Sequence, residues 1–439
     1  MTSEPLIAVG LVENVPEITV ELLDSYTAGD GSPVSSGRYR FTCREGRIIC
    51  RENKSLCAAA VSLTGTTPFS RFRLEITIGI DFHWQQKKEH TFSGAVRLIA
   101  QSQDSVTVIN DVPLETYIHS VSCSEMSAHS PEEFLKAHSI ISRSWLLAQL
   151  AAKDNPVPVP PDDTTAGEII RWYDRQTHTG FDVCADDHCQ RYQGVDMITS
   201  GTVSKAVEAT RGMVLMYDGK PCDARFSKCC GGVVEDFRLA WSDTVHPYLT
   251  PLTDAENETL PDPPLTGETA ARLFFEHAPE AYCNCSDAAI LGSVLNRYDQ
   301  TTNDFYRWTV TITHEEVSTL LQKKLSRDVG RVLALEPVKR GLSGRLETLR
   351  IVGEKHSVII GKELEIRRAL SKTHLYSSAF VVDTVGPADR PEAFILTGAG
   401  WGHGVGLCQI GAAVMAFRGK NFREILAHYY PGSVIEALY

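Results

Sequence analysis

From Gly398 to Gly406 every second residue is a glycine, within the stretch GAGWGHGVGLCQIGAA. Glycine has no Cβ, so this spacing lets the backbone adopt left-handed conformations or lets another chain approach it closely. The surrounding sequence has no strand–helix–strand pattern, which argues against a dinucleotide-binding loop. Two interpretations stay open. One is a tight structural loop that leads into a helix, and the other is a surface for a long, flat ligand such as a glycan, with His403 and Gln409 as polar contacts.

The composition excludes several classes of protein. The chain has 439 residues, of which 22% are charged, and a net charge of −12 at pH 7. This length and composition predict a packed protein of two or three domains. Without a basic cluster, nucleic acid is not expected as a partner. No apolar run approaches the roughly 20 residues of a membrane span, and the N-terminus MTSEPLIAVGLVENVPE lacks the basic start of a secretory signal.

The order of local patterns predicts an α+β fold, mostly β-rich with a few capped helices. Residues 1 to about 110 alternate apolar and polar positions in short runs, which is typical of antiparallel strands. Pro-rich loops are predicted at 155–163 and 260–269, and strands resume after about residue 305. The predicted organisation is an N-terminal β-rich accessory domain (1–80), a first core lobe (81–255), a helical insert (256–304) and a second core lobe (305–439), with a long cleft between the two lobes.

Two helices carry clear start signals. Ser130 and Glu133 have the spacing of a capping box at the start of EEFLKAHSIISRSWLLAQLAA, and Asn421 with Glu424 repeats it before FREILAHYY. The first of these helices has a wide apolar face, which predicts deep burial. Its Arg143 lies among apolar neighbours, so we expect an anionic partner for it.

Glu125 is a candidate for acid–base chemistry. It belongs to a short segment predicted between a strand-like run and the capped helix, and its neighbours Cys123, Ser124, Met126 and Ser127 carry no charge. A carboxyl group in such surroundings would have a raised pKa and could act as a general acid. From these residues alone, a solvated glutamate in a loop is the favoured alternative.

Three stretches resemble the SpoIID/LytB family, named for a sporulation stage II protein. The first is LETYIHSVSCSEMSAHSPEEFLKAHSIISRSW, which contains the Glu-Met pair of that family, and the second is GAGWGHGVGLCQIGAAVMAFRGKNFREILAHYYPGS. Between them, FSKCCGGVVED is similar to a third family motif and is followed by Trp241 and PYL. The resemblance extends from about Phe82 to Tyr439 with an interruption at roughly 250–330, and the motifs occur in the family's order.

The resemblance implies a lytic transglycosylase of the bacterial cell envelope. Such an enzyme cleaves the MurNAc–GlcNAc bond of peptidoglycan strands that lack stem peptides, forms 1,6-anhydroMurNAc and requires no cofactor for the chemistry. It implies that Glu125 is the catalytic acid and base. Arg143 is expected to orient Glu125 or to contact substrate, with a buried structural ion pair as an equal alternative. His403 is expected to line the cleft, with a structural role, its ring donating to a backbone carbonyl, as the lesser alternative. Gln409 and Ser227 are weaker candidates for substrate contact.

A further resemblance concerns zinc. The stretch THTGFDVCADDHCQRYQG resembles a part of the same family where zinc is bound, which implies His178, Cys184 and Cys189 as ligands. Three ligands would leave one coordination position open, as in catalytic zinc sites, and His188 is either the fourth ligand or a bystander. A Cys184–Cys189 disulfide is the rival interpretation, and metal is favoured, in a structural role.

The remaining alternatives concern other functions and other cysteines. Some family members modify an amidase, so a non-catalytic glycan-binding activator of a cell-wall amidase is one alternative function. A zinc-dependent hydrolase, with Glu125 activating a metal-bound water, is another. The adjacent Cys229 and Cys230 offer a disulfide to Cys222 or Cys283, and sequence does not assign the connectivity.

Overall fold

The computed structural model describes residues 3–80, 85–154, 163–165, 167–171, 178–256, 259–297 and 299–439. It confirms the α+β fold class. The Pro-rich loop predicted at 155–163 lies outside the described residues except for its last position. The described strands are β1 (Leu6–Val15), β2 (Glu17–Leu22), β3 (Tyr26–Ala28), β4 (Pro33–Val34), β5 (Gly37–Arg44), β6 (Arg47–Cys50), β7 (Ala60–Gly65), β8 (Arg71–Ile78), β9 (Gln86–Ser93), β10 (Ala95–Ala100), β11 (Val106–Pro113), β12 (Asp163–Thr164), β13 (Glu168–Ile170), β14 (Val183–Cys184), β15 (Met213–Tyr217), β16 (Lys220–Pro221), β17 (Phe226–Ser227), β18 (Val233–Val234), β19 (Leu252–Thr253), β20 (Arg307–Thr313), β21 (Val332–Arg340), β22 (Leu346–Gly353), β23 (Ser357–Gly361), β24 (Phe380–Val385), β25 (Ala393–Ala399), β26 (Leu407–Cys408) and β27 (Val434–Ala437).

The described helices alternate with these strands along the chain. Short 3₁₀ turns occur at Lys54–Leu56, Val195–Met197 and Asp299–Thr301. Among the described residues, none of the helices has the length and apolar character that crossing a membrane requires. The helices are α1 (Leu114–Glu125), α2 (Glu132–Asp154), α3 (Gly201–Ala209), α4 (Phe237–Ala240), α5 (Glu268–His277), α6 (Ala288–Val294), α7 (His314–Leu325), α8 (Glu363–Ala369), α9 (Gln409–Phe417) and α10 (Phe422–Tyr429).

The first of two compact units is built from Met1–Arg143, Thr177–Val214 and Glu436–Tyr439. It contains a seven-stranded sheet in the order β14-β1-β11-β10-β7-β3-β4 and a five-stranded sheet in the order β6-β5-β2-β8-β9. The alternation predicted for this region is confirmed, since the burial of β8 changes from residue to residue. Strand β1 pairs antiparallel with β11, so strands from before and after residue 80 share one sheet. The domain boundaries predicted from the sequence stay predictions.

The second compact unit comprises Ser144–Gln176 and Leu215–Ile435. Its larger sheet has the order β12-β13-β23-β22-β21, and a second sheet has the order β20-β25-β24. Helices α7 and α8 contact strands of these sheets, and the contacts enclose an apolar core around Trp308, Ile360 and Phe394. Helix α5 (Glu268–His277) lies within the segment predicted as a helical insert, 256–304.

The two predicted capping boxes have different outcomes. At the start of α10, Asn421 and Glu424 form the box reciprocally, as predicted. At the start of α2 the prediction is wrong, because the buried Ser130 hydroxyl has no hydrogen-bond partner. Ser130 instead lies in a turn, where its N–H donates to the carbonyl of Ser127 at 3.1 Å, and the helix begins only at Glu132.

Candidate active site

Glu125 is the last residue of α1, so the alternative of a solvated glutamate in a loop does not hold. Helix α1 starts directly after β11, and most of its side chains are buried because it contacts β1, β11 and α3. The Glu125 side chain is only 8% exposed. Its Oε1 accepts a hydrogen bond of 2.9 Å from the backbone N–H of Arg191. The structure thus buries this carboxyl group at a helix end and gives it a backbone donor.

The surroundings of Glu125 in its own helix are neutral, as predicted. The Ser124 hydroxyl donates to the carbonyl of Ser120 at 2.8 Å and accepts from the backbone N–H of Gln193 at 3.3 Å. Burial raises the pKa of the Cys123 thiol to about 12, so this thiol carries no charge near neutral pH. These neighbours place no opposing charge beside the carboxyl group.

Four potential metal ligands lie together in the segment that follows. The donor atoms of His178, Cys184, His188 and Cys189 are all within 4.8 Å of one another. His178 Nε2 is 3.2 Å and His188 Nδ1 is 3.5 Å from the sulfur of Cys189. In a tetrahedral zinc site, bonds of about 2.0–2.3 Å place neighbouring donors about 3.3–3.8 Å apart. The spacing of these four donor atoms, His188 included, would suit a zinc ion, and metal binding here stays a prediction.

The local fold explains how the cluster forms. Strand β14 pairs in parallel with β1, which holds Cys184 opposite Gly10. A Cβ at Gly10 would lie 2.6 Å from the ring of Phe181, so only glycine leaves room for that ring. Phe181 in turn stacks on His178 with ring centroids 4.6 Å apart. The hydrogen bond with Cys189, together with both histidines, lowers the pKa of the Cys184 thiol far below its usual value.

The segment with these ligands is also the segment that contacts Glu125. Arg191, which gives its backbone N–H to Glu125, lies two residues after Cys189, and its guanidinium bonds Asp187 at 2.6 Å. Gln190 accepts from the hydroxyl of Tyr117, on α1, at 3.2 Å. The ligand cluster and the candidate acid are therefore parts of one hydrogen-bonded assembly within the first unit.

Arg143 forms the buried ion pair that was one of its predicted alternatives. It is fully buried, and its Nε and Nη2 donate to the two carboxylate oxygens of Glu115 at 3.0 and 2.7 Å. Its Nη1 donates to the carbonyl of Met213 at 2.8 Å. Glu115 also accepts from the backbone N–H of Gly212 and from the hydroxyl of Tyr439. Since Glu115 lies in the first turn of α1, this pair fixes the helix that ends at Glu125.

The alternating glycines are explained by contacts inside the second unit. A Cβ at Gly404 would lie 2.3 Å from the guanidinium carbon of Arg345, and one at Gly406 would lie 2.0 Å from the carbonyl oxygen of Arg225. Both glycines have positive φ. The Arg345 side chain is fully buried, and it donates to the carbonyl of Cys230 at 3.0 Å. The loop therefore encloses an arginine and follows a neighbouring backbone, which matches the structural interpretation of the glycine pattern.

His403 lies in this glycine loop, and its side chain is half-buried. Its Nδ1 accepts from the backbone N–H of Val405 at 3.0 Å, and its ring meets Trp241 edge-on with centroids 4.6 Å apart. Burial and the charge of Arg225 hold the pKa of His403 well below its usual value, so the ring is neutral. Trp241 is also half-buried, so the two rings form a partly accessible polar and aromatic surface.

The two weaker candidates lie next to each other on neighbouring strands. Ser227 pairs with Cys408 where β17 and β26 run in parallel, and Gln409 follows at the start of α9. Both side chains are buried, and the Ser227 hydroxyl has no hydrogen-bond partner. A Cβ at Gly402 would lie 3.2 Å from the Cβ of Ser227, so these residues belong to the packing beneath the glycine loop.

Two important residues were missed from the sequence. Arg191 acts through its backbone N–H, so its side-chain type carries no signal. Arg345 follows a serine and a glycine in the run GLSGRLE, which has no motif. The signal that could have found Arg345 is the alternating glycine pattern, since it requires something bulky to lie against the bare backbone.

Comparison with known proteins matches two parts of the chain to described domains. Residues 102–217 match the stage II sporulation protein family, and residues 235–406 match a domain of unknown function, DUF8618. The chain is 24% identical to the stage II sporulation protein D of Bacillus amyloliquefaciens, over 79% of this chain and 83% of that protein. It is 25% identical to the protein of the same name from Bacillus subtilis, over 74% of this chain and 75% of that protein. It is also 25% identical to the amidase enhancer of Bacillus subtilis, over 71% of this chain but only 39% of that protein.

These matches support a cell-wall related role for the chain. The match over residues 102–217 includes Glu125, Arg143, the four clustered ligands and Arg191. Over residues 102–217 the chain is similar to the SpoIID family, and proteins named stage II sporulation protein D are among its relatives. The same similarity supports a role at the wall, outside the cytoplasm.

Proposed function

We propose that this chain is a peptidoglycan lytic transglycosylase and that Glu125 is its catalytic acid and base. The observation that supports the proposal is the position of Glu125: a buried carboxyl group at the end of α1, whose Oε1 accepts a hydrogen bond from the backbone N–H of Arg191. Burial and a helix C-terminus both disfavour the charged carboxylate, whereas the N–H of Arg191 favours it. A group balanced in this way can give up a proton and take one back in the same catalytic cycle.

The reaction needs only one carboxyl group. Glu125 gives its proton to the oxygen between MurNAc and GlcNAc, the bond from that oxygen to C1 of MurNAc breaks, and GlcNAc leaves with a hydroxyl group. The C6 hydroxyl of the same MurNAc then bonds to C1 and returns its proton to the Glu125 carboxylate, which closes the 1,6-anhydro ring. Glycosidases that use water need two carboxyl groups at set separations. Here the internal hydroxyl replaces water, so a second carboxylate is not required.

The other residues of the first unit would position Glu125. The N–H of Arg191 orients the carboxylate, and the pair of Arg143 with Glu115 fixes the start of the same helix. His178, Cys184, His188 and Cys189 would hold a zinc ion. That ion would supply a structural cross-link to the segment that contains Arg191, because four protein ligands are typical of structural zinc sites.

In the second unit, we propose that His403 and Trp241 contact the glycan. Half-buried aromatic rings present an apolar face together with polar atoms, which suits a sugar ring, and the neutral imidazole can hydrogen-bond a hydroxyl group. Gln409 and Ser227 would support this surface from below, since both are buried.

The test is mass spectrometry of the products from purified glycan strands, with and without stem peptides. We expect the wild-type chain to produce 1,6-anhydroMurNAc ends and Glu125→Gln to lose at least about a hundredfold in rate, the usual contribution of a general acid. Glu132→Gln is the matched control, because Glu132 is exposed and pairs with Lys136 on the surface. Products with ordinary reducing ends would instead indicate hydrolysis and would refute the proposal.

A second candidate function is the activation of a cell-wall amidase by glycan binding alone. It is supported by the similarity to the amidase enhancer of Bacillus subtilis. In that case neither substrate would be cleaved, and Glu125→Gln would stimulate a purified amidase as well as the wild type does. The third alternative, a zinc hydrolase, is disfavoured by the four clustered ligands, since a catalytic zinc keeps one position for water.

A further inference from the structure

A second group of potential metal ligands lies in the other unit, where no motif predicted one. Cys230, Asp254, Cys283 and Cys408 come from four separate parts of the chain, and their donor atoms all lie within 4.8 Å of one another. Cys230 follows β17, Asp254 follows β19, Cys283 lies between α5 and α6, and Cys408 ends β26 immediately before α9. All four side chains are at most 2% exposed.

The distances suit a metal ion better than a disulfide. The sulfurs of Cys230 and Cys283 are 3.6 Å apart. A disulfide requires about 2.05 Å, whereas two thiolates on one tetrahedral zinc ion are about 3.8 Å apart, given bonds of about 2.3 Å. Cys229 adds a fourth sulfur at the edge of the group, in hydrogen-bond contact with Cys283 and Cys408.

Hydrogen bonds from the surrounding protein already orient the donors. The backbone N–H of Cys230 donates to the sulfur of Cys408 at 3.2 Å, and the N–H of Cys283 donates to Asp254 Oδ2 at 3.0 Å. The hydroxyl of Tyr429 donates to Asp254 Oδ1 at 2.5 Å. Donors of this kind commonly hold the ligands of a metal ion in place.

Gly411 leaves the space that the Asp254 carboxylate and the Tyr429 hydroxyl occupy. A Cβ at Gly411 would lie 2.5 Å from the Tyr429 hydroxyl and 2.7 Å from the Asp254 carboxylate. Cys408 is also the N-cap residue of α9, where the helix dipole favours a thiolate. A carboxylate and three thiolates buried together would be strongly unfavourable without a cation, because each loses its hydration.

We propose that Cys230, Asp254, Cys283 and Cys408 bind a structural zinc ion. Three sulfurs and one carboxylate oxygen in a closed tetrahedron are a donor set that zinc prefers. The ion would link the segment after β17 to the start of α9, which are 178 positions apart in sequence. This inference does not depend on glycan cleavage, so its test and the test of the proposed function can fail separately.

The experiment measures the metal content of the purified full-length chain, kept reduced throughout, by inductively coupled plasma mass spectrometry. We expect about two zinc ions per chain in the wild type, one for each group of four ligands. The variant Cys184→Ser/Cys189→Ser should keep one ion, and Cys283→Ser/Cys408→Ser should also keep one. Cys222→Ser is the matched control, because Cys222 is buried in the same unit but outside the group, and it should keep two.

A second measurement covers the case in which the Cys283→Ser/Cys408→Ser chain does not fold. Cobalt is loaded into the Cys184→Ser/Cys189→Ser variant, where the intensity of the sulfur-to-cobalt charge-transfer band should correspond to three thiolates. Absence of metal from this variant would overturn the proposal. A Cys230–Cys283 disulfide that persists in the wild-type chain despite purification under reducing conditions, seen by peptide mass spectrometry, would do the same. Loss of the ion in Cys229→Ser, with retention in Asp254→Asn, would refute the assigned ligand set.

Discussion

The buried pair of Arg143 with Glu115 allows a quantitative prediction about stability. Arg143→Met keeps most of the side-chain volume but leaves the Glu115 carboxylate buried without a countercharge. Breaking a buried, bidentate pair in this way costs about 3–5 kcal/mol. The hydrogen bonds from Gly212 and Tyr439 to Glu115 remain, so we expect a loss near 3 kcal/mol. The double variant Arg143→Met/Glu115→Gln should recover part of it, because the uncompensated charge is gone.

The pKa of Glu115 predicts how the stability difference between wild type and Arg143→Met changes with pH. Burial by itself would raise the pKa of the Glu115 carboxyl, but hydrogen bonds and the charge of Arg143 outweigh burial, and the pKa lies below its usual value. A carboxyl group with a lowered pKa in the folded state stabilises the fold above its unfolded pKa and loses that contribution as the pH falls through its folded pKa. The stability difference between wild type and Arg143→Met should therefore shrink in acid.

The assay is urea denaturation of the full chain, with the slope compared between variants so that a change in midpoint can be read as a change in stability. Arg97 provides the matched control, since it also forms a two-point pair, with Asp111 at 2.5 and 2.9 Å, but its side chain is 30% exposed. We expect Arg97→Met to cost only about 1 kcal/mol. Equal losses at both sites would refute the reasoning from burial. A fully stable Arg143→Met chain that no longer cleaves glycans would show that Arg143 contacts substrate instead.

Three other predictions concern stability. Burial, and secondly the charge of Lys88, lowers the pKa of His90 from 6.5 to about 4. Between these pH values the unfolded chain binds a proton at His90 that the folded chain does not. The free energy of unfolding should therefore fall by about 3 kcal/mol as the pH decreases from 6.5 to 4. His90→Gln should remove this slope in denaturation curves, and His356→Gln, at an exposed position, should leave it unchanged. Gly404→Ala should destabilise the fold by more than about 3 kcal/mol, because the strain of a positive φ adds to a Cβ contact of 2.3 Å with Arg345. Gly419→Ala, where φ is also positive but the space is open, should destabilise it by only about 1 kcal/mol. Equal melting temperatures of the two variants would contradict this. Asn421→Ala should lower stability by about 1 kcal/mol through loss of the cap on α10, and an unchanged midpoint would contradict that account.

Local features of the fold were predictable because their cause is local. The alternation of apolar residues predicted the strands before residue 110, and the reciprocal cap at Asn421 predicted the start of α10. The first ligand cluster was also within reach, since His178, Cys184, His188 and Cys189 occupy one short stretch. The wrong capping box at Ser130 shows the limit, because the same residues can form a turn when the chain bends before the helix.

The sequence by itself determined which residues could do chemistry, and the tertiary structure decided what each of them contacts. Glu125 and Arg143 stood out by type and spacing, yet the donor to Glu125 is a backbone N–H 66 positions away, and no side-chain pattern records it. The alternating glycines indicated that some other group lies close to their backbone. Only the fold shows that this group is Arg345 together with a neighbouring backbone segment. The second ligand group had no sequence signal at all, because spacing is informative only over a few turns of chain. Donors that far apart in sequence are brought together by the packing of whole sheets and helices.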